Sequence, residues 1–247
     1  MIRLDVDVTN PGQFFGCCGV FELAQRLWPD VTGCFEDSQF VVSGGDLNEL
    51  VTCTAHAPIE VVEPANQTSS ALYLAGPFNI RLDWWKVERG LKTWAGRMSV
   101  DRIATSLQRD LLNTLANGFF DYGHVVVGSD GNKVEPYYFD GRRGATALPL
   151  DVGFSSDALS LETVAFSATE FFTLVGLQRF RPSEVTLRVY RYRAWRSHLP
   201  VTLAALAAAG VLPDDGVLCQ FQSAFRTDQR KHKAFSPAVP VDGERHE

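Results

Sequence analysis

The residues best equipped for chemistry are basic groups interleaved with aromatics, and the chemistry they suit is contact with phosphates and unstacked bases. Lys92, Arg97, Arg102 and Arg109 follow or flank Trp84, Trp85 and Trp94. Arg142 and Arg143 stand between Gly141 and Gly144, where backbone can approach a phosphate closely. Arg188, Arg191, Arg193 and Arg196 alternate with Tyr190, Tyr192 and Trp195, and Arg226, Arg230, Lys231 and Lys233 form a last basic run. Arginine and lysine neutralise the phosphate chain, and aromatic faces stack on bases. The same residues also have plainer uses. Tryptophans fill cores and subunit interfaces, and arginines line solvated faces or pair with acids. On a strand Arg188 points away from Arg191 and Arg193, so the four cannot all serve one surface.

Catalysis has fewer candidates. A metal-independent RNA endonuclease needs a histidine or tyrosine base and a cation at the phosphorane. His56, His124, His198 and His232 are available, and His198, just after Arg196, is the best placed of them. None has a partner at a recognisable spacing. The chain carries no phosphate-cradling lysine loop, no metal-binding histidine–aspartate cluster, no nucleophile elbow and no dinucleotide-type glycine turn. The five cysteines, Cys17, Cys18, Cys34, Cys53 and Cys219, include no C-x-x-C pair. Buried reduced thiols are therefore expected, with no metal and no cofactor. Asp5 with Asp7, and Asp214 with Asp215, are explained by a solvated strand edge and a turn.

The formal net charge is −6, but it is unevenly placed. Up to residue 85 three basic residues stand against eleven acidic ones; beyond it the balance is twenty against eighteen, with the basic residues clustered. One part of the chain thus suits a polyanion and another a protein partner. No apolar run approaches the roughly 20 residues that span a bilayer, and the first residues lack the layout of a signal peptide. A cytoplasmic protein without a membrane partner is expected.

The elements that must position these residues begin with an alternating strand, Ile2 to Val8, and a helix from Gly12 to Trp28. Asn10 suits the N-cap, Pro11 the first turn, and Pro29 the stop. Gly16 and Gly19 within this helix each cost about 1 kcal/mol relative to alanine, which predicts close packing, here onto a sheet. A hairpin around Asp37-Ser38, a short helix over 47–53 and a strand over 59–62 complete a β-α-β-β-α-β order, that of a ferredoxin-like unit over residues 1–65. Residues 66–234 make a second α+β part sharing the core, opening at the polar break 66–70. It contains a helix after Ser99, strands at 137–140 and 184–192, a central helix at 163–177 and a short one at 201–209. Residues 235–247 form a flexible tail. The fold class is α+β.

Four sequence elements carry a family resemblance. They are Thr9-Asn10-Pro11-Gly12-Gln13-Phe14-Phe15 with Leu23 to Pro29; Leu91 to Gly96; Phe139-Asp140-Gly141-Arg142-Arg143 with Asp151 to Ser155; and Gly176 to Pro182. With these the chain resembles a CRISPR-associated family of type I-U (type I-G) loci, a RAMP-like small subunit of the effector complex. The resemblance implies a non-catalytic part of an antiviral ribonucleoprotein. Its partners would be guide RNA or target DNA, other type I effector subunits and, indirectly, a helicase-nuclease. RAMP proteins are built of ferredoxin-like units. Their C-terminal glycine-rich loop has no counterpart here, since Ala207 to Gly210 is a helix end, so a position near the duplex entrance stays open. The alternatives are a RAMP-type endoribonuclease that processes CRISPR RNA and a purely structural bridging subunit.

Overall fold

A computed structural model describes residues 1–66, 69–85, 91–92, 99–142, 164–225 and 233–241. Helix α1 (Pro11–Leu27) starts where its cap allows: Asn10 Oδ1 accepts the Gly12 N–H at 3.0 Å. It connects β1 (Ile2–Asp5) to a hairpin of β2 (Thr32–Glu36) and β3 (Gln39–Val42), turned at Asp37 with φ of 51°. The three strands pair antiparallel in the order β1-β3-β2. Helix α2 (Leu47–His56) follows, with Asp46 Oδ1 accepting the Glu49 N–H at 2.9 Å.

The next strand departs from the expected order. β4 (Ile59–Asn66) does not return to β1; it pairs with β5 (Ser69–Leu74), which also holds β6 (Ile80–Leu82) and β7 (Leu91–Lys92). Gln108 Nε2 donates to the carbonyls of Thr54 and Ala57 at 2.8 and 2.7 Å and holds the end of α2 at the edge of this second sheet. Asn66 of β4 stands opposite Ser69 of β5, so the boundary expected after residue 65 runs through one sheet. In the first sheet the outer neighbour of β2 is a distant strand, β12 (Leu199–Pro200).

α3 (Val100–Arg109) and α4 (Leu111–Ala116) divide the expected single stripe at Asp110. β8 (Gly123–His124) pairs with β9 (Ala165–Phe166), and β9 runs directly into α5 (Ser167–Gly176), every residue of which is buried. The close packing that the α1 glycines predict is present, but the partner at closest approach is α5. A Cβ on Gly19 would overlap the carbonyl oxygen of Phe172 and lie 2.7 Å from its carbonyl carbon. One on Gly176 would meet the Gly19 nitrogen at 2.7 Å. Phe14, on another side of α1, stacks on Phe35 of the first sheet at 5.1 Å.

The alternation over 184–192 belongs to two strands. β10 (Ser183–Thr186) turns at Leu187-Arg188 into β11 (Val189–Ala194); Arg188 has φ of 65°, and its N–H reaches Glu184 Oε1 at 3.3 Å. Tyr190, Tyr192 and Ala194 are the buried face, while Leu187 is exposed at the tip. β11 pairs with β13 (Val217–Phe225), which also holds β14 (Lys233–Phe235) and β15 (Val239–Pro240). Residues 235–241, expected in a flexible tail, are therefore paired, with Phe235 and Ala238 buried and the Ala238 N–H bonded to the Thr9 carbonyl at 2.7 Å. Residues 242–247 lie outside the described residues. Helix α6 (Val201–Ala208) ends before Gly210 at φ of 76°.

One hydrophobic cluster joins both parts of the chain. Trp195 contacts Phe14, Phe35, Phe40 and Phe180, and its Nε1–H donates to the Gly33 carbonyl at 2.8 Å. The architecture is α+β with several small antiparallel sheets. No described helix is long and apolar enough to cross a membrane.

Candidate nucleic-acid interface

The expected basic residues that are described do not converge on one groove. Arg97, Arg143, Arg226, Arg230 and Lys231 lie outside the described residues, and Lys92 and Lys233 are placed only by their backbone in β7 and β14. On α3, Arg102 is held by Asp130 at 2.7 Å. Arg109 is exposed and has no ion pair among the described residues. On β11, Arg191 and Arg193 share the half-exposed face: Arg191 Nε donates to Gln220 Oε1 at 2.9 Å, and Arg193 donates to the Asp214 and Gly216 carbonyls. Arg196 is exposed on the following turn. The neighbouring aromatics point the other way. Tyr190, Tyr192, Trp195 and Trp85 are buried and Trp84 is partly buried, so these rings belong to the core; Trp94 is outside the described residues.

Arg142 is tied into the fold. Its Nε and Nη2 donate to Asp140, Nη1 to Asp121 Oδ1 at 2.6 Å, and Nη2 also to the Phe120 carbonyl, while the guanidinium lies over the Phe166 ring at 3.6 Å. Asp140 is fully buried and also accepts Asn10 Nδ2 at 3.1 Å; Asn10 Oδ1 takes the Gly141 N–H at 2.8 Å. The Asn-Pro-Gly-Gln and Phe-Asp-Gly-Arg elements therefore meet as one satisfied polar network, which fixes the start of α1. Next to it the expected strand at 137–140 is irregular. Tyr138 has φ of 66°, and the successive N–H groups of Phe139 and Asp140 both turn onto buried Glu170, at 3.1 to 3.2 Å. Such a concave pair of amides is a carboxylate-binding nest.

Three arginines that the sequence reading passed over do converge. Arg26 near the end of α1, Arg81 on β6 and Arg179 just after α5 line a cleft of about 310 Å3 with Glu22, Asn79, Ile80 and Gln178. Glu22 is almost fully buried and receives Arg26 Nη2 at 2.8 Å and Arg179 Nε at 2.5 Å. Arg26 Nη1 also donates to the Phe78 carbonyl at 2.5 Å. Arg81 Nε is bonded to Asp83 Oδ2 at 2.7 Å, and Gln178 ties both main-chain groups of Asp83. Three guanidinium charges against two carboxylates leave the cleft with an excess positive charge. Arg26 has its fork engaged; Arg81, more than half exposed, keeps terminal N–H groups for a ligand.

Among the described residues the histidines form no relay. His198 lies on the exposed side of β2, with Cys34 Sγ 3.3 Å from Nε2 and 3.5 Å from Nδ1, and Glu36 Oε1 3.4 Å from Nε2. The sulfur sits beside both nitrogens instead of in line with one, and burial, with Glu36 close by, pushes the Cys34 thiol up to about 11. A nucleophile needs the opposite shift. His124 meets Asp110 Oδ2 at 2.8 Å and Ser167 Oγ at 3.4 Å, both through Nε2. A relay needs the acid and the nucleophile on opposite ring nitrogens. His56 Nδ1 lies 2.7 Å from the Thr52 carbonyl within its own helix, and His232 lies outside the described residues.

No family model, no curated protein and no solved structure matches this chain.

Proposed function

We propose that this chain is a non-catalytic, nucleic-acid-binding subunit of a cytoplasmic ribonucleoprotein, of the kind its resemblance to type I-U CRISPR effector subunits implies. Its phosphate contact is the cleft of Arg26, Arg81 and Arg179. The observation that carries this reading is that cleft: guanidinium groups from three separate elements line an opening of about 310 Å3, and Arg81, paired with Asp83 through Nε, keeps its terminal N–H groups for a phosphodiester. Arg191, Arg193 and Arg196, outside the core on the C-terminal sheet and its turn, are further basic residues that could meet a phosphate chain. Among the described residues the aromatic rings beside these arginines are turned into the core, so the contact follows phosphates instead of reading bases.

β1, β3 and β2 around α1 supply three of the four strands of a ferredoxin-like unit and two of its three pairings, and we read the N-terminal part as such a RAMP-like unit with its fourth strand drawn into the second sheet. The ribonuclease alternative gains no support from His198, which is set between a thiol and a carboxylate.

The test is binding of labelled single-stranded RNA and duplex DNA over a series of salt concentrations, with Arg81→Glu and Arg81→Ala beside the parent. Arg81 is the variant of choice because its side chain is largely exposed. Each lost phosphate contact should lower the salt slope by about one, and the reversal should weaken binding more than the truncation. Equal affinity and equal slope in all three proteins would remove the cleft from the interface.

A further inference from the structure

The sequence gives no sign of a metal site, since no two cysteines or histidines stand at ligand spacing. The fold assembles one kind of donor set across a long sequence separation. Cys34 and Glu36 are two apart on β2 and so share a face. β12 pairs with β2 through Leu199 opposite Gly33, which places His198 beside Cys34. One donor atom from each of the three residues lies within 4.8 Å of the others. We propose that Cys34 Sγ, Glu36 Oε1 and His198 bind a divalent transition-metal ion of borderline softness, zinc above all.

The distances support this more closely than proximity alone. Bond lengths of about 2.3 Å to sulfur and about 2.05 Å to nitrogen or oxygen, in a tetrahedron, put sulfur roughly 3.5 Å from each other donor and nitrogen roughly 3.3 Å from oxygen. The structure has Sγ to Nε2 at 3.3 Å, Sγ to Oε1 at 3.7 Å and Nε2 to Oε1 at 3.4 Å. The imidazole is half exposed, so its ring is not locked by packing on every side. Thiolate, imidazole and carboxylate together select zinc over magnesium or calcium, which want oxygen alone.

Supporting contacts hold the ligands from behind. Arg3 Nη1 pairs with Glu36 Oε2 at 3.3 Å and leaves Oε1 facing the thiol. Asp214 accepts the N–H groups of Arg196 and Ser197 at 2.9 and 3.3 Å and so fixes the turn that carries His198. Conserving ligand orientation through such outer contacts is how protein metal sites are tuned. The exposed side, where His198 and Glu36 meet solvent, leaves the fourth position to water or a ligand. The ion would fasten β2 to a strand that otherwise holds it by two residues.

The full-length protein, stripped with a chelator and dialysed, is titrated with cobalt(II) and then zinc(II). One equivalent of cobalt should give a near-ultraviolet thiolate charge-transfer band and strong visible bands of tetrahedral type, and one equivalent of zinc should bleach both. Cys34→Ser should abolish the near-ultraviolet band, His198→Gln should weaken cobalt binding by at least about tenfold, and Cys53→Ser should behave as the parent. Absence of the thiolate band in the parent, its survival in Cys34→Ser, or unchanged affinity in His198→Gln would each overturn the proposal. His198→Gln alters a half-exposed side chain, so it decides the matter even where Cys34→Ser fails to fold.

Discussion

Replacing Gly19 by alanine tests how closely α1 and α5 approach. In an isolated helix the change would stabilise by about 1 kcal/mol. Here the new methyl would overlap the Phe172 carbonyl oxygen, 2.7 Å from its carbon and 3.1 Å from the Gly176 nitrogen, against ordinary contacts of 3.4 Å and beyond. Both obstacles are backbone and cannot rotate away. The helices must part by roughly 1 Å, a gap that forfeits a quarter to a half of each dispersion contact across it. Overpacking costs up to about 3 kcal/mol in such sites. Subtracting the propensity gain leaves a net loss of about 2 kcal/mol, or a fall in Tm of about 4 to 8 °C for a chain of this size. Gly16→Ala is the control: its methyl would meet the Phe120 ring at 3.0 Å, a side chain able to tilt, and the net change should lie within about 1 kcal/mol of zero. Thermal unfolding followed by circular dichroism reads both. A Tm for Gly19→Ala equal to or above the parent would refute the close approach.

Other expectations follow from the buried polar groups. Glu170→Ala strands the N–H groups of Phe139 and Asp140 and should destabilise by about 3 kcal/mol in denaturant unfolding. Trp195→Phe keeps an aromatic ring but leaves a small cavity and the Gly33 carbonyl without its indole donor, with an expected loss of about 2 to 4 kcal/mol on the same assay. For Asp214, burial works towards a higher value, yet the N–H groups of Arg196, Gly216 and Ser197 hold its carboxyl below the ordinary one. A depressed carboxyl adds stability above its unfolded value, near pH 4, and loses it as pH falls through the folded one. Asp214→Asn should thus lower Tm at neutral pH, with the difference from the parent shrinking below about pH 4; a constant difference down to pH 2 would speak against the ionised form.

Local signals in the sequence were legible where neighbours along the chain decide the outcome. Asn10 and Pro11 start α1, Asp46 starts α2, Asp37-Ser38 turns the first hairpin and Gly210 ends α6. Residues whose partners are remote were not. Nothing in Ile59 to Val62 says that β5 will pair with it and β1 will not, because either neighbour covers the same apolar positions. The alternation over 184–192 hid a hairpin, since a left-handed Arg188 leaves no composition signal of the kind glycine gives. Gly16 and Gly19 announced tight packing but not its partner. The arginine cleft gathers Arg26, Arg81 and Arg179, and the Cys34–His198 contact closes 164 residues; no spacing rule reaches that far. For Trp85 and Trp195 the sequence allowed core packing or base stacking, with packing the plainer use of so large a ring, and both lie in the core.

The most direct measurement is a pull-down of the tagged protein co-expressed with the products of neighbouring genes and a CRISPR repeat-spacer array, with the eluate assayed for proteins and RNA. A stoichiometric set of subunits with RNA of one defined length, the RNA or target binding weakened when Arg81→Glu replaces the parent, is the predicted result. Recovery of this protein alone, folded and free of RNA, would contradict the account.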